Sequence, residues 1–307
     1  MNDEAAIRVE GLVKYFDGRC VLDGVSFEVE RGCIYGLLGR NGSGKTTIIR
    51  TLLGLERPTR GGSGLLGVDS QRLGAGDRGR IGYVAEGHEL IGRLKVGQLI
   101  GLCKGVARRW NGELFGRLME VFRLPRERKV KQLSQGMRAQ LNLALALAVD
   151  PEVLVLDDPT LGLDTVVRRQ FLELAIDLIQ RQGRTILFSS HILSDVERIA
   201  DRVGILVGGQ LVVDCGLEAL KRRVKKLRLT FAEEAPEELA LTDVVACRRE
   251  GREMLITLAN WDEHKRMVLE AYGPETWSEV GLTLEDIFVE ATHPQGEVLV
   301  GEKEIYE

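Results

Sequence analysis

Gly39-Arg40-Asn41-Gly42-Ser43-Gly44-Lys45-Thr46-Thr47 decides how the rest of this chain is read. Gly39, Gly42 and Gly44 free backbone N–H groups to curl around an anion, Lys45 can reach outer phosphates, and the Thr46 hydroxyl suits Mg²⁺. The apolar run from Gly32 to Leu38 predicts a buried strand before the loop. Apolar spacing from Thr46 to Leu55 predicts a helix after it, ended by Gly54 and Pro58. A strand, a glycine loop and a helix N-terminus form an anion site by geometry, because unpaired N–H groups and the helix dipole face the same point. The ligand expected there is a nucleoside triphosphate with Mg²⁺, and Asn41, Ser43 and Thr47 complete the candidate loop.

At 307 residues, 44% hydrophobic and 29% charged, the chain can bury a full core and is expected to form one large and one small domain. A net charge of −4 argues against a general nucleic-acid binder. The five cysteines, Cys20, Cys33, Cys103, Cys215 and Cys247, are scattered and lack Cys-x-x-Cys spacing, which suggests neither a disulfide framework nor a zinc site. No segment has the pattern of a signal peptide, and the longest helix-like apolar run, Leu141 to Val149, is far shorter than a membrane span. A membrane role would therefore come through a partner.

The pattern changes near residue 220. Short strands and turns from Ile7 to about Gly64 predict an antiparallel flank around the loop, and residues 92–150 are mostly helical in pattern. Val153–Leu156 and Thr185–Phe188 read as strands buried on both faces, separated by a helix from Val166 to Gln180, the alternation of a parallel α/β sheet. Ile205 to Val213 reads as a hairpin turning at Gly208-Gly209. The domains expected are 1–220, with a helical subdomain at about 87–150, a small α+β domain at 221–292, and a polar tail at 293–307. The small domain carries a strand at Leu227–Phe231, a hairpin joined at Glu250-Gly251, and helices at Asp262–Tyr272 and Thr283–Ala291. The basic cluster Lys221 to Lys226 could meet lipid head groups or nucleic acid, or form a solvated helix face.

Two further segments bear on chemistry. Leu133-Ser134-Gln135-Gly136-Met137 stands just before a helix expected over Arg138–Val149. Val153-Leu154-Val155-Leu156-Asp157-Asp158-Pro159 ends an apolar strand on aspartates, where a carboxylate can hold the hydration shell of Mg²⁺ beside a phosphate loop.

In this order, residues 7 to about 215 resemble the nucleotide-binding domain of ATP-binding cassette (ABC) transporters. The implied fold is an α/β P-loop NTPase domain with a mixed sheet core, an antiparallel β flank and a helical subdomain. By that resemblance Phe16 stacks on adenine, Gly39 to Thr47 are the Walker A loop, Glu86 takes the Q-loop position and Leu133 to Met137 the signature. Asp157 is the Walker B aspartate that, with Thr46 and Glu86, serves Mg²⁺. Asp158 stands at the catalytic carboxylate, Leu161-Gly162-Leu163-Asp164 is the D-loop, and His191 is the switch histidine. Without the resemblance, Phe16 could be core, His191 a structural histidine and Asp164 a helix N-cap.

The resemblance also implies partners. Two cassettes close head to tail, so Ser134 and Gly136 of one copy complete the ATP site on Lys45 of the other, in a homodimer or heterodimer. Together they drive an integral membrane permease from the cytoplasmic face. The methionine-ended signature and the closing segment Gly281 to Phe288 are similar to the exporter branch. Four positions depart from the usual pattern: Asp158 for glutamate, Glu86 for glutamine, and Gln135 and Met137 for glycine and glutamine. A base displaced by about 1 Å can cost on the order of 10² in rate, so slow hydrolysis is expected, the alternative being that the backbone shifts to compensate and the rate is ordinary. The competing classes are a regulator that closes but barely hydrolyses, and a soluble cassette protein of translation or repair. The latter usually carries two cassettes or a long coiled-coil insertion, and this chain shows neither.

Overall fold

The computed structural model describes residues 5–165, 167–173 and 183–291. By compactness the chain divides into two units, Met1–Ala200 with Leu206–Leu211, and Asp201–Ile205 with Val212–Glu307.

In the first unit, β1 (Ala5–Phe16), β2 (Arg19–Glu30), β4 (Arg60–Leu65) and β5 (Val68–Asp69) form an antiparallel sheet in the order β2-β1-β4-β5. Val25, Phe27 and Val29 of β2 are buried while Ser26 and Glu28 between them face outward, the two-residue period of a sheet wet on one side. The second sheet of this unit has the order β3-β8-β7-β6, with β3 (Ile34–Gly39), β6 (Ile81–Val84), β7 (Val153–Asp157) and β8 (Thr185–Ser190); the later strands β9 (Arg202–Val207) and β10 (Gln210–Gly216) are divided between the two units. The pairs β3–β8, β8–β7 and β7–β6 are parallel. Every residue of β3, β7 and β8 is buried, as expected of strands covered on both faces.

Helix α1 (Lys45–Leu52) follows β3 and buries Ile48, Ile49 and Leu52 in a core shared with Ile7, Leu12, Leu22, Phe27 and Tyr35. Phe27 and Tyr35 stack with centroids 5.0 Å apart. That core fixes the start of α1 beyond the end of β3, where the glycine loop must turn. After a short α2 (Ala75–Arg78), three helices make the expected helical region: α3 (Val96–Val106), α4 (Gly112–Val121) and α5 (Gln135–Ala148). Asn111 caps α4 by accepting from the Leu114 N–H at 2.9 Å. The helix expected at Val166–Gln180 is seen as α6, at residue 165 and residues 167–173; its remainder lies outside the described residues. Helix α7 (Leu193–Ile199) follows β8.

The second unit holds α8 (Leu217–Arg223) and an antiparallel sheet in the order β12-β13-β11-β14, from β11 (Lys225–Thr230), β12 (Val244–Glu250), β13 (Glu253–Leu258) and β14 (Thr276–Val280). Leu227, Leu229, Phe231, Met254, Ile256 and Leu258 form its core with Leu269 of α9 (Glu263–Ala271). Helix α10 (Leu284–Ala291) starts in a capping box: the Thr283 N–H donates to Asp286 Oδ2 at 2.9 Å, and the Asp286 N–H donates back to Thr283 Oγ1 at 3.2 Å.

Three local expectations are corrected. The last three residues of the signature segment, Gln135 to Met137, lie inside α5 rather than before it, because Ser134 Oγ accepts from the Met137 N–H at 3.2 Å and starts the helix three residues early. The basic cluster is not one solvated helix face. Lys225 and Lys226 belong to β11, where Lys225 pairs with Glu279 and Lys226 lies 3.7 Å from Asp286. Strands β6 and β14 were not expected. The first is four residues long, and the second is exposed from Thr276 to Glu279, so neither carries a clear apolar period. The polar tail at 293–307 lies outside the described residues.

A candidate nucleotide site

The three parallel strands β3, β7 and β8 end side by side, and their first residues beyond the apolar run carry the polar groups. After β3 the loop turns through Gly42 (φ 79°) and Gly44 (φ 111°) into α1. At Gly44 a side chain would lie 2.6 Å from Leu22 Cδ2, so both the dihedral and the packing exclude other residues. Lys45 curls back and donates to the carbonyls of Gly39 at 2.7 Å and Arg40 at 3.3 Å. Lys45 is 6% exposed. Burial pulls its pKa below the usual lysine value, while the charges of Asp158, Asp157 and Glu86 oppose that fall. Ser43 Oγ is buried without a hydrogen-bond partner, as in a loop shaped for an anion. Asn41 is exposed, and Thr47 is half-buried with its carbonyl taken by Thr51 Oγ1 at 2.8 Å.

At the end of β7, Asp157 Oδ1 accepts from Ser189 Oγ at 2.8 Å and Thr46 Oγ1 at 3.3 Å. Its Oδ2 is buried and unpartnered. Burial pushes the Asp157 pKa up, the two hydroxyls hold it down, and Glu86 and Asp158 add to the rise. A threonine hydroxyl, a carboxylate with one free oxygen and a second carboxylate nearby are hard oxygen ligands, which fits Mg²⁺. Among the described residues no cluster of three His, Cys, Asp or Glu is placed to hold a metal by itself.

Asp158 follows in the left-handed region, φ 43°. Its N–H donates to the Ser189 carbonyl at 3.2 Å and to Ser189 Oγ at 3.0 Å, which pins its backbone to the end of β8. Both carboxylate oxygens lie against His191 Nδ1, at 2.9 and 2.8 Å. His191 stands one residue past β8, where Ser190 Oγ accepts from the Ile192 N–H at 2.9 Å and shapes the turn. Glu86 opens a short 3-10 turn, Glu86–His88, just after β6, and is exposed.

The remaining candidates sit on other elements. Phe16 ends β1, is 42% exposed, and has Lys14 Nζ 4.6 Å from its ring centroid, so it is not a core residue. Asp164 accepts from the Val167 N–H at 2.9 Å and caps α6. Ser134 and Gly136 lie at the start of α5. Among the described residues no hydrogen bond joins them to Lys45, while a side chain on Gly136 would meet Val167 of α6 at 3.4 Å.

Ser189 and Tyr83 were missed. Ser189 holds both aspartates in place, and its signal was a polar pair closing an otherwise apolar buried strand. Tyr83 of β6 has its phenol pushed up to about 12, first by burial and then by the Asp157 charge. It gave no local signal.

Comparison with known proteins agrees with this arrangement. A family model described as ABC transporter matches residues 22–161. The chain is 30% identical over 283 residues to the ABC transporter ATP-binding protein YtrB of Bacillus subtilis, covering 92% of this chain and 97% of that one. It is 36% identical to the Nod factor export ATP-binding protein I of Burkholderia lata, over 70% of this chain and 72% of that protein. A solved ATP-binding subunit of an ABC transporter superposes with a TM-score of 0.64 at 28% identity, covering 71% of this chain and 92% of that one. With the phosphate loop, the paired aspartates and His191 gathered at one edge of the sheet, and a relative matched along nearly its full length, this chain belongs to the ATP-binding subunits of ABC transporters.

Proposed function

We propose that this chain hydrolyses MgATP and thereby powers an exporter through an integral membrane permease, working from the cytoplasmic face in a pair of cassettes. The observation that carries the reading is the gathering of Lys45, Thr46 with Asp157, and Asp158 with His191 at the ends of three adjacent strands. A triphosphate entering the loop would take over the Lys45 ammonium and the N–H groups of Gly42 to Thr47, and Phe16 would stack on adenine. Mg²⁺, when bound, would neutralise charge on the phosphates, held through Thr46 and Asp157 with Glu86 close by. Asp158 would orient the attacking water and accept its proton, and His191 would position the γ-phosphate.

In this reading Ser134 and Gly136 serve the site of a second copy, and Asp164 lies where the copies meet. The helices between Glu86 and Leu133 receive the permease. Among the described residues no helix is long and apolar enough to cross a membrane, so a separate membrane chain fits. The export direction is supported by the relative named for Nod factor export. Slow hydrolysis is supported by the short Asp158 side chain, both oxygens of which lie against His191. No partner nucleic acid is invoked.

The test is twofold. Purified protein with MgATP should release phosphate, and Lys45→Ala should lower the rate by about 10²-fold or more, as loss of a phosphate-directed charge does. Tagged protein drawn from gently solubilised membranes should bring a polytopic membrane protein in stoichiometric amount. Recovery with ribosomes, DNA or no partner would overturn the transport reading.

A further inference from the structure

Gln135 is the first residue of α5 and stands where the family pattern has glycine, so its side chain is an addition that the chemistry of the loop does not require. That side chain crosses to the D-loop of the same chain, and Nε2 donates to the Leu161 carbonyl at 3.2 Å. The neighbouring Gly162 adopts φ 72°, and a side chain there would lie 2.0 Å from Gln135 Nε2 and 2.6 Å from its Cδ. The amide thus fills a notch that glycine leaves open. One residue on, Gly136 faces Val167 of α6 with only 3.4 Å to spare for a Cβ. The first turn of α5 therefore meets the D-loop at one residue and the helix that follows the D-loop at the next.

The D-loop is anchored at its ends by other groups. Thr160 Oγ1 donates to the buried Asp195 Oδ2 at 3.0 Å, and Asp195 also receives Arg168 at 3.1 Å. Asp164 caps α6. Between those anchors, the turn is held by the Leu161 N–H on the Asp158 carbonyl at 3.1 Å and the Leu163 N–H on the Thr160 carbonyl at 3.2 Å. From outside the loop, the Gln135 side chain grips its middle.

We propose that Gln135 is a positioning residue that ties the signature turn bearing Ser134 and Gly136 to the D-loop of its own chain, so that the two segments shift as one piece. The relevance to turnover rests on the proposed function, in which both segments face the second cassette. The tie itself does not.

Gln135→Glu keeps the length and shape but sets a carboxylate against the Leu161 carbonyl. A carboxylate in the first turn also suits the helix dipole, so α5 itself should not weaken. Gln135→Met removes the donor without adding charge. Hydrogen exchange of the nucleotide-free protein is expected to quicken about three- to tenfold at the Leu161 and Leu163 amides in both variants, the scale of one partly exposed hydrogen bond. Amides of α1 should be unchanged. In ATPase assays kcat should fall by a similar factor with KM for ATP unchanged, because the phosphate loop is untouched. Unaltered exchange at Leu161 and Leu163, or quickening spread evenly over the chain, would overturn the tie. Faster exchange confined to the D-loop in a protein that never hydrolyses ATP would leave the tie standing and sink the proposed function instead.

Discussion

Strand β7 carries a carboxylate at each end, and the two are treated in opposite ways. Glu152, just before the strand, is clasped by Arg80 through two bonds of 2.6 and 2.7 Å, with Arg31 at 3.8 Å, and Arg80 holds its carboxyl below the usual range. Asp157, five residues on, is 1% exposed and faces hydroxyls, with one oxygen unpartnered and its pKa pushed up by burial. The same strand thus ends in a satisfied ion pair on one side of the sheet and an unsatisfied charge on the other. A buried charge crowded by the like charges of Glu86 and Asp158 costs stability. It persists where a cation or a phosphate-bound metal is to arrive, which makes imbalance a better guide to the working edge than charge alone.

Removing the Asp157 charge is the strongest way to break this comparison. Asp157→Asn should lower phosphate release by on the order of 10³-fold, since the position meets charge that develops in the reaction. The same change should raise the melting temperature of the ligand-free protein by about 2–5 °C at neutral pH, because a buried anion crowded by Glu86 and Asp158 is gone, a gain larger than the attraction to Lys45 that goes with it. The sign follows from linkage. A folded pKa raised above 3.8 means the penalty is fully present above the folded value and fades as pH falls toward 3.8. The advantage of the variant should therefore shrink on acidification. A ligand-free protein destabilised by Asp157→Asn at neutral pH would refute the imbalance.

Asp158→Glu sharpens the comparison at the same edge. The added methylene should carry the carboxylate past His191 Nδ1 toward the phosphate, and kcat is expected to rise about tenfold or more. A variant no faster than the parent would show that the backbone at Asp158, already at φ 43°, has compensated for the shorter side chain.

Local chemistry explains what the sequence made legible. Gly44 is legible because one residue type alone tolerates φ 111° against Leu22, and β3, β7 and β8 because strands covered on both faces need unbroken apolar runs. The start of α5 was misplaced because Ser134 announces an N-cap only when its partner, the Met137 N–H, is known. Ser189 and Gln135 act on residues 31 or 32 and 26 positions away in the chain, and no local period encodes such a meeting. The pairing of Lys225 with Glu279 likewise depends on β14, an edge strand whose exposed residues gave no signal.

The smallest effect tests the other end of β7. Glu152 is 37% exposed in its side chain, so water screens its attraction to Arg80. Glu152→Gln should cost only about 2 °C in melting temperature at neutral pH and leave hydrolysis unchanged. Here linkage has the opposite sign. A folded pKa held below 4.5 gives stability that is present above 4.5 and lost as pH falls through the folded value. The deficit of this variant should therefore close on acidification, just as the advantage of Asp157→Asn closes, so the two curves approach the parent from opposite sides. If both variants shifted the melting temperature in the same direction at neutral pH, the two ends of β7 would not differ in the way their contacts imply, and the unpartnered oxygen of Asp157 would lose its meaning as the mark of the working edge.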